Sequence, residues 1–205
     1  MENMIDLNMS FTFSTEQLDG KALRNLVNMI YSRGPLLTAA TGGRFGAARS
    51  LVHLLEQTAK SDNASDIVQA LVAHDAVYGP GLTGVEITAE SVTFTGFPEA
   101  PDVMTLRAYG QLAYLMLMRS AAVKRVATRH IEILNVKYTF RSWLVDLGMN
   151  GDAFRDTRAT LLARITGNGS YRSNEGYARA LQRAKDKRRA KGGKPRGQVT
   201  FEYVE

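Results

Sequence analysis

The sequence predicts an α+β fold, predominantly helical, in which about six helices pack a small antiparallel sheet of three strands. The C-terminal segment offers that sheet a fourth strand. Two observations carry the expectation. Apolar residues recur at helical spacing over most of the 205 residues. Strict apolar/polar alternation, the mark of a half-buried strand, is confined to a few short segments.

Leu7-Asn8-Met9-Ser10-Phe11-Thr12-Phe13 alternates and reads as the first strand. Ser14 and Thr15, with Glu16 and Gln17 behind them, read as the N-cap of the next helix. That helix carries Leu18, Ala22, Leu23, Leu26, Met29 and Ile30 on one stripe and is expected to end near Gly34-Pro35. Two further helices are expected over residues 47–58 and 64–77, the second opening after Ser61-Asp62-Asn63 and stopping at Gly79-Pro80. Val85-Glu86-Ile87 and Val92-Thr93-Phe94-Thr95 flank a short polar link and predict a hairpin. A long central helix follows over residues 103–127, apolar all round in its middle.

From Val136 the pattern becomes a helix pair. Val136, Phe140, Trp143, Leu144 and Leu147 share one face of the first member. Gly148-Met149-Asn150-Gly151 turns the chain, and Phe154, Leu161, Leu162 and Ile165 share a face of the second. A polar helix over residues 174–190, a Gly-rich link and an alternating terminal segment, residues 199–204, complete the chain. Residues 1–170 thus read as one globular α+β domain containing a helix-turn-helix-like hairpin at 136–167. Residues 171–205 read as a basic helix, a flexible link and a strand that pairs either in cis or with a partner.

Charge is distributed unevenly. Residues 1–100 hold 6 Lys/Arg and 11 Asp/Glu, a net of −5, whereas residues 101–205 hold 20 and 9, a net of +11. Such asymmetry points to a polyanionic partner, DNA or RNA. The plainer alternative is a solvated basic tail that confers solubility. There are no cysteines, which excludes disulfides and thiol nucleophiles and suits a reducing cytoplasm. The opening residues lack a signal-peptide pattern, and the apolar run at Leu112–Met118 is bracketed by Arg107 and Arg119, too close together to span a bilayer. The expected setting is cytoplasmic, with no membrane partner.

Candidate contact residues follow from this charge. In the helix pair, Arg155, Thr160 and Arg164 leave the apolar stripe and could reach a groove. Arg158 falls near the stripe's centre and must be paired, snorkel, or serve at a groove. An αα-hairpin that simply packs on the core is the competing reading. Beyond it, Arg172, Arg179, Arg183, Lys185, Lys187, Arg188, Arg189, Lys191, Lys194 and Arg196 offer phosphate contacts. Tyr171 and Tyr177 among them offer stacking on unpaired bases.

Other constellations are weaker. Thr41-Gly42-Gly43-Arg44-Phe45-Gly46 lacks the Lys-Ser/Thr ending of a phosphate loop and reads as a turn that needs positive φ. His53, His74 and His130 lie in separate segments; His53 and Glu56 could share a helix face, and no Ser–His–Asp arrangement is legible. No catalytic residue, metal site or cofactor is therefore expected.

Several stretches resemble a known family. Ile30-Tyr31-Ser32-Arg33-Gly34, Ala40-Thr41-Gly42-Gly43-Arg44-Phe45-Gly46, Thr93-Phe94-Thr95-Gly96-Phe97-Pro98 and Trp143 through Gly151 look like the "virulence-related protein" family of integrative conjugative elements and prophages of Gram-positive gut bacteria. Arg158, Gly167-Asn168 and Tyr171-Arg172 share the likeness. The resemblance implies a small accessory protein of a mobile element and brings no catalytic residues with it. Two functions remain open at this point: a non-enzymatic nucleic-acid-binding accessory protein, or a protein-binding inhibitor of a host defence complex of the anti-CRISPR or anti-restriction type.

Overall fold

A computed structural model describes residues 9–58, 62–129 and 133–190. The start of the first expected strand, His130, Lys191, Lys194, Arg196 and the terminal strand at 199–204 lie outside the described residues.

The fold is α+β and predominantly helical. Strand β1 (Phe11–Ser14) is followed by helix α1 (Gly20–Thr41), strand β2 (Gly46–Ala47), and helices α2 (Arg49–Gln57) and α3 (Ala64–Tyr78). Strands β3 (Leu82–Thr83), β4 (Val85–Ile87) and β5 (Ser91–Phe94) come next, then helices α4 (Val103–Ala122), α5 (Val136–Asp146), α6 (Arg155–Ala163) and α7 (Asn174–Ala190). The expected three-stranded antiparallel sheet is present in the order β1-β5-β4, with Phe11 opposite Phe94 and Val85 also opposite Phe94. The pairing β2–β3, Gly46 opposite Thr83, was not expected, because two residues are too short to show a period.

Helices α1 and α4 pack together, α4 also touches β1 of the sheet, and α6 packs on α4. Leu23, Leu26, Ile30, Leu112, Met116, Phe94 and Phe140 are fully buried where these layers meet. Side chains of this size each contribute roughly 1.5–3 kcal/mol by leaving water. Arg33 of α1 lies 6.0 Å over the Trp143 ring of α5, and burial lowers its pKa below the ordinary guanidinium value while Asp146 acts in the opposite direction.

Three helix boundaries differ from expectation, each for a local reason. The N-cap of α1 is Asp19, whose carboxylate accepts from Ala22 N at 2.7 Å. Thr15 instead donates from its hydroxyl to Ala89 O at 2.6 Å, tying β1 to the hairpin link. Helix α1 also runs through Pro35 to Thr41. Proline removes one ladder bond there, but Leu36, Leu37 and Ala40 continue the buried stripe and hold the helix together. Gly34 lets the β2 backbone approach, since a Cβ at this position would lie 2.6 Å from Phe45 O.

Helix α4 stops at Ala122, short of the expected 127. The buried Asn25 side chain ends it. Its amide donates to Ser120 O at 3.0 Å and Val123 O at 2.9 Å, and its carbonyl accepts from Val126 N at 3.0 Å. The middle of α4 is not buried all round either: Tyr114 and Met118 are exposed. At its other end Asp102 caps the helix through Thr105 N at 2.7 Å, and that bond holds its carboxyl below the ordinary 3.8.

The packing of α2 against α3 assembles groups that lie far apart in sequence. Ser50 Oγ lies 2.8 Å from His74 Nε2, and His74 Nδ1 lies 3.1 Å from Asp75 Oδ1. No such Ser–His–Asp arrangement is legible in the sequence, because its serine and its histidine come from different helices. His53 and Glu56 do not pair: His53 turns to Gln57, while Glu56 accepts from Arg125 at 3.3 Å and Thr128 at 3.1 Å.

Candidate nucleic-acid interface

Helix α7 is built from Asn174-Glu175-Gly176-Tyr177 onward with few apolar residues, so it has no stripe with which to enter a core. From Leu181 to Ala190 every residue is exposed. At 100° per residue Arg179, Arg183 and Lys187 form one longitudinal stripe, while Lys185, Arg188 and Arg189 cover the remaining faces. Asp186 is held by Gln182 at 3.0 Å, and Arg179 donates to Glu175 O at 3.4 Å. Ion pairs among the described residues join Lys21 to Asp19 and Arg125 to Glu56, and Asp75 lies against the His74 ring. None involves a cation of α7.

The segment leading into α7 is anchored to α5. The Asn135 amide donates to Asn168 O at 2.8 Å and Tyr171 O at 2.9 Å, while its carbonyl caps α5 through Tyr138 N at 3.1 Å. One side chain therefore starts α5 and pins the loop before α7. Tyr171 and Tyr177 sit together, centroids 5.7 Å apart, and both are partly exposed. Arg172 is exposed beside them, and Lys137 and Arg141 of α5 reach under Gly169. Those last two were not singled out in the sequence; only contact between α5 and the loop reveals them.

The helix pair is differently disposed. Arg158 donates to Met149 O at 2.7 Å and Gly151 O at 3.0 Å, so its guanidinium fastens the link between α5 and α6. That link, Leu147–Phe154 with a 3-10 turn at Asp152–Phe154, is longer than the roughly three- or four-residue turn of a groove-reading helix pair. The exposed face of α6 presents Arg155 between Asp152 and Asp156, followed by Ala159 and Ala163. Thr160 is half-buried. One long cation between two carboxylates favours the structural reading of the pair. Arg164 lies over Gly42 at the C-terminal end of α1, where a cation meets the negative pole of the helix. Burial raises the nearby Tyr109 phenol above its ordinary 10.0, with Arg164 acting in the opposite direction.

A second cationic surface is also legible only in three dimensions. Arg49 of α2 and Arg129 line one open cleft, and Lys124 and Arg125 line an adjoining one that shares Glu56 with it. The turn that follows α4 brings these side chains to α2. The glycine-rich segment is structural: Gly42 is left-handed at φ 77 and caps α1, so the expectation of positive φ holds. No helix among the described residues is long and apolar enough to cross a membrane. No protein-family model, curated protein or solved structure matches this chain.

Proposed function

We propose that the protein is a mobile-element accessory protein, acting in the cytoplasm, that binds nucleic acid through α7 and the tyrosine-bearing loop before it. One observation carries this reading. Arg179, Arg183, Lys185, Lys187, Arg188 and Arg189 are all exposed, and no described carboxylate pairs with them. Solvated cations on every face of an exposed helix gain affinity by displacing the counterions of phosphates. Tyr171, Tyr177 and Arg172 at the root of that helix supply stacking surface and a further cation. The arrangement favours sequence-tolerant binding, because phosphate contacts position a ligand without reading bases. The motif resemblance to the mobile-element family supports the setting.

A second reading, a protein-binding inhibitor of a host defence complex, is favoured by α4. Val103, Met104, Leu106, Tyr114 and Met118 are exposed on that helix, and apolar surface of this kind fits a protein partner.

Titration of a short labelled duplex with the full chain at increasing salt separates the two. Nucleic-acid binding through six cations predicts a log–log slope near −5 or steeper. Absence of duplex binding at low salt, together with capture of a protein partner that survives nuclease treatment and is lost in Tyr114→Asp, would shift the assignment to the second reading.

A further inference from the structure

We infer that Ser50 is an activated nucleophile, and that the cleft it lines takes a carboxylic ester bearing an anionic group. His74 is 3% exposed, and its ring is fixed on both sides. Its Nδ1 lies 3.1 Å from Asp75 Oδ1, which also accepts from Gly81 N at 2.9 Å. A carboxylate only accepts, so Nδ1 carries the proton and Nε2 is left as the acceptor for the Ser50 hydroxyl, 2.8 Å away. Gly81 closes against the ring: a Cβ there would stand 2.5 Å from His74 Cε1. Serine, base and orienting carboxylate thus follow the order that nucleophilic serine chemistry requires.

The surroundings define the substrate class. Ser50 is exposed and lines an open cleft of about 770 Å³ together with Tyr31, Arg49, His53, Glu56 and Arg129. Arg49 and Arg129 put positive charge at its wall. Ser50 also stands in the first turn of α2, whose N-cap, Ala48, has no side chain to take up the first-turn N–H groups. Those donors suit the oxygen that becomes negative on attack.

In the reaction, Ser50 Oγ bonds to the ester carbonyl carbon as its proton passes to His74 Nε2, and the carbonyl π electrons move onto oxygen. Collapse breaks the carbon–alkoxide bond, and the leaving alkoxide takes the proton from His74. Water then repeats the sequence on the acyl-serine, releasing the acid and restoring Ser50. Asp75 acts as a positioning residue. This site is separate from α7, so either proposal can fail without the other.

The test treats the full chain with a fluorophosphonate probe, which phosphonylates activated serines with loss of fluoride, and maps the adduct by mass spectrometry. One adduct at Ser50 is expected, absent in Ser50→Ala and formed at least about 100-fold more slowly in His74→Gln. Because His74 is buried, exposed Asp75 supplies a second variant. Asp75→Asn should slow labelling about tenfold with an unchanged melting temperature, and should lower kcat but not KM for an activated ester. Among such esters, 4-nitrophenyl hemisuccinate should show a KM about fivefold below that of 4-nitrophenyl acetate, a gap that Arg49→Ala closes. No adduct at Ser50, or labelling as fast in both His74→Gln and Asp75→Asn as in the wild type, overturns the nucleophile. Equal KM values for the two esters overturn the anionic substrate.

Discussion

Gly84→Ala is expected to lower the stability of the protein by roughly 3 kcal/mol or more. Gly84 sits at φ +78, a conformation that costs a residue with a Cβ roughly 1–2 kcal/mol. Space adds to that cost. A Cβ at this position would run into Arg44 O and stand 3.0 Å from Gly96 Cα. The backbone around Arg44 packs against both Gly84 and Gly96: Arg44 N donates to Gly96 O at 2.8 Å, while Gly96 N donates to Gly84 O at 2.9 Å. No flexible side chain can yield there; backbone must move, and β2–β3 and the start of β4 move with it. Gly148→Ala is the control. It sits at φ +101 with nothing within 4 Å of an added Cβ, so it carries the conformational cost alone. Urea midpoints of the two variants should therefore differ clearly, with Gly84→Ala the lower. Equal midpoints would mean that this contact relaxes.

Replacing Arg179, Arg183, Lys185, Lys187, Arg188 and Arg189 together by alanine is expected to weaken nucleic-acid binding roughly 10³-fold at low salt. The same replacement should leave the melting temperature of the body unchanged. All six side chains are exposed and lie outside the core, and alanine is at least as good a helix former as the residues removed. Loss of affinity with retained folding is the signature of surface electrostatics. Equal affinity would move the interface to another surface, the foremost being the cluster of Arg49, Lys124, Arg125 and Arg129.

The features legible in the sequence are those with a period or a run. Alternation marked β1, β4 and β5 and the hairpin between the last two; that β1 pairs with β5 and not with β4 is decided by the fold. The stripes of α1, α5 and α6 placed Leu26, Phe140 and Leu161 in the core, and the apolar run of α4 placed Leu112 there. The charge of α7 was equally plain, because it is contiguous. What escaped was decided by tertiary contact. Pro35 looked like a helix end, but the buried stripe beyond it outweighs one lost hydrogen bond. Asn25 ends α4 from nearly a hundred residues away, which no local propensity encodes. Ser50 and His74 come from two helices, and neither stands in a motif. Arg158 shows the opposite case: its place on an apolar stripe called for a partner, a snorkelling side chain or a groove, and the turn carbonyls of Met149 and Gly151 supply the first.

Nucleic acid is proposed to meet this protein at α7 and the loop that launches it. Ultraviolet cross-linking of the full chain to bound nucleic acid in living cells, with mass-spectrometric mapping of nucleotide adducts, tests it most directly. Adducts should fall within residues 171–190, with Tyr171 and Tyr177 foremost. Adducts confined to the α2 cleft and the turn after α4, or none on a chain that is otherwise folded, would contradict it.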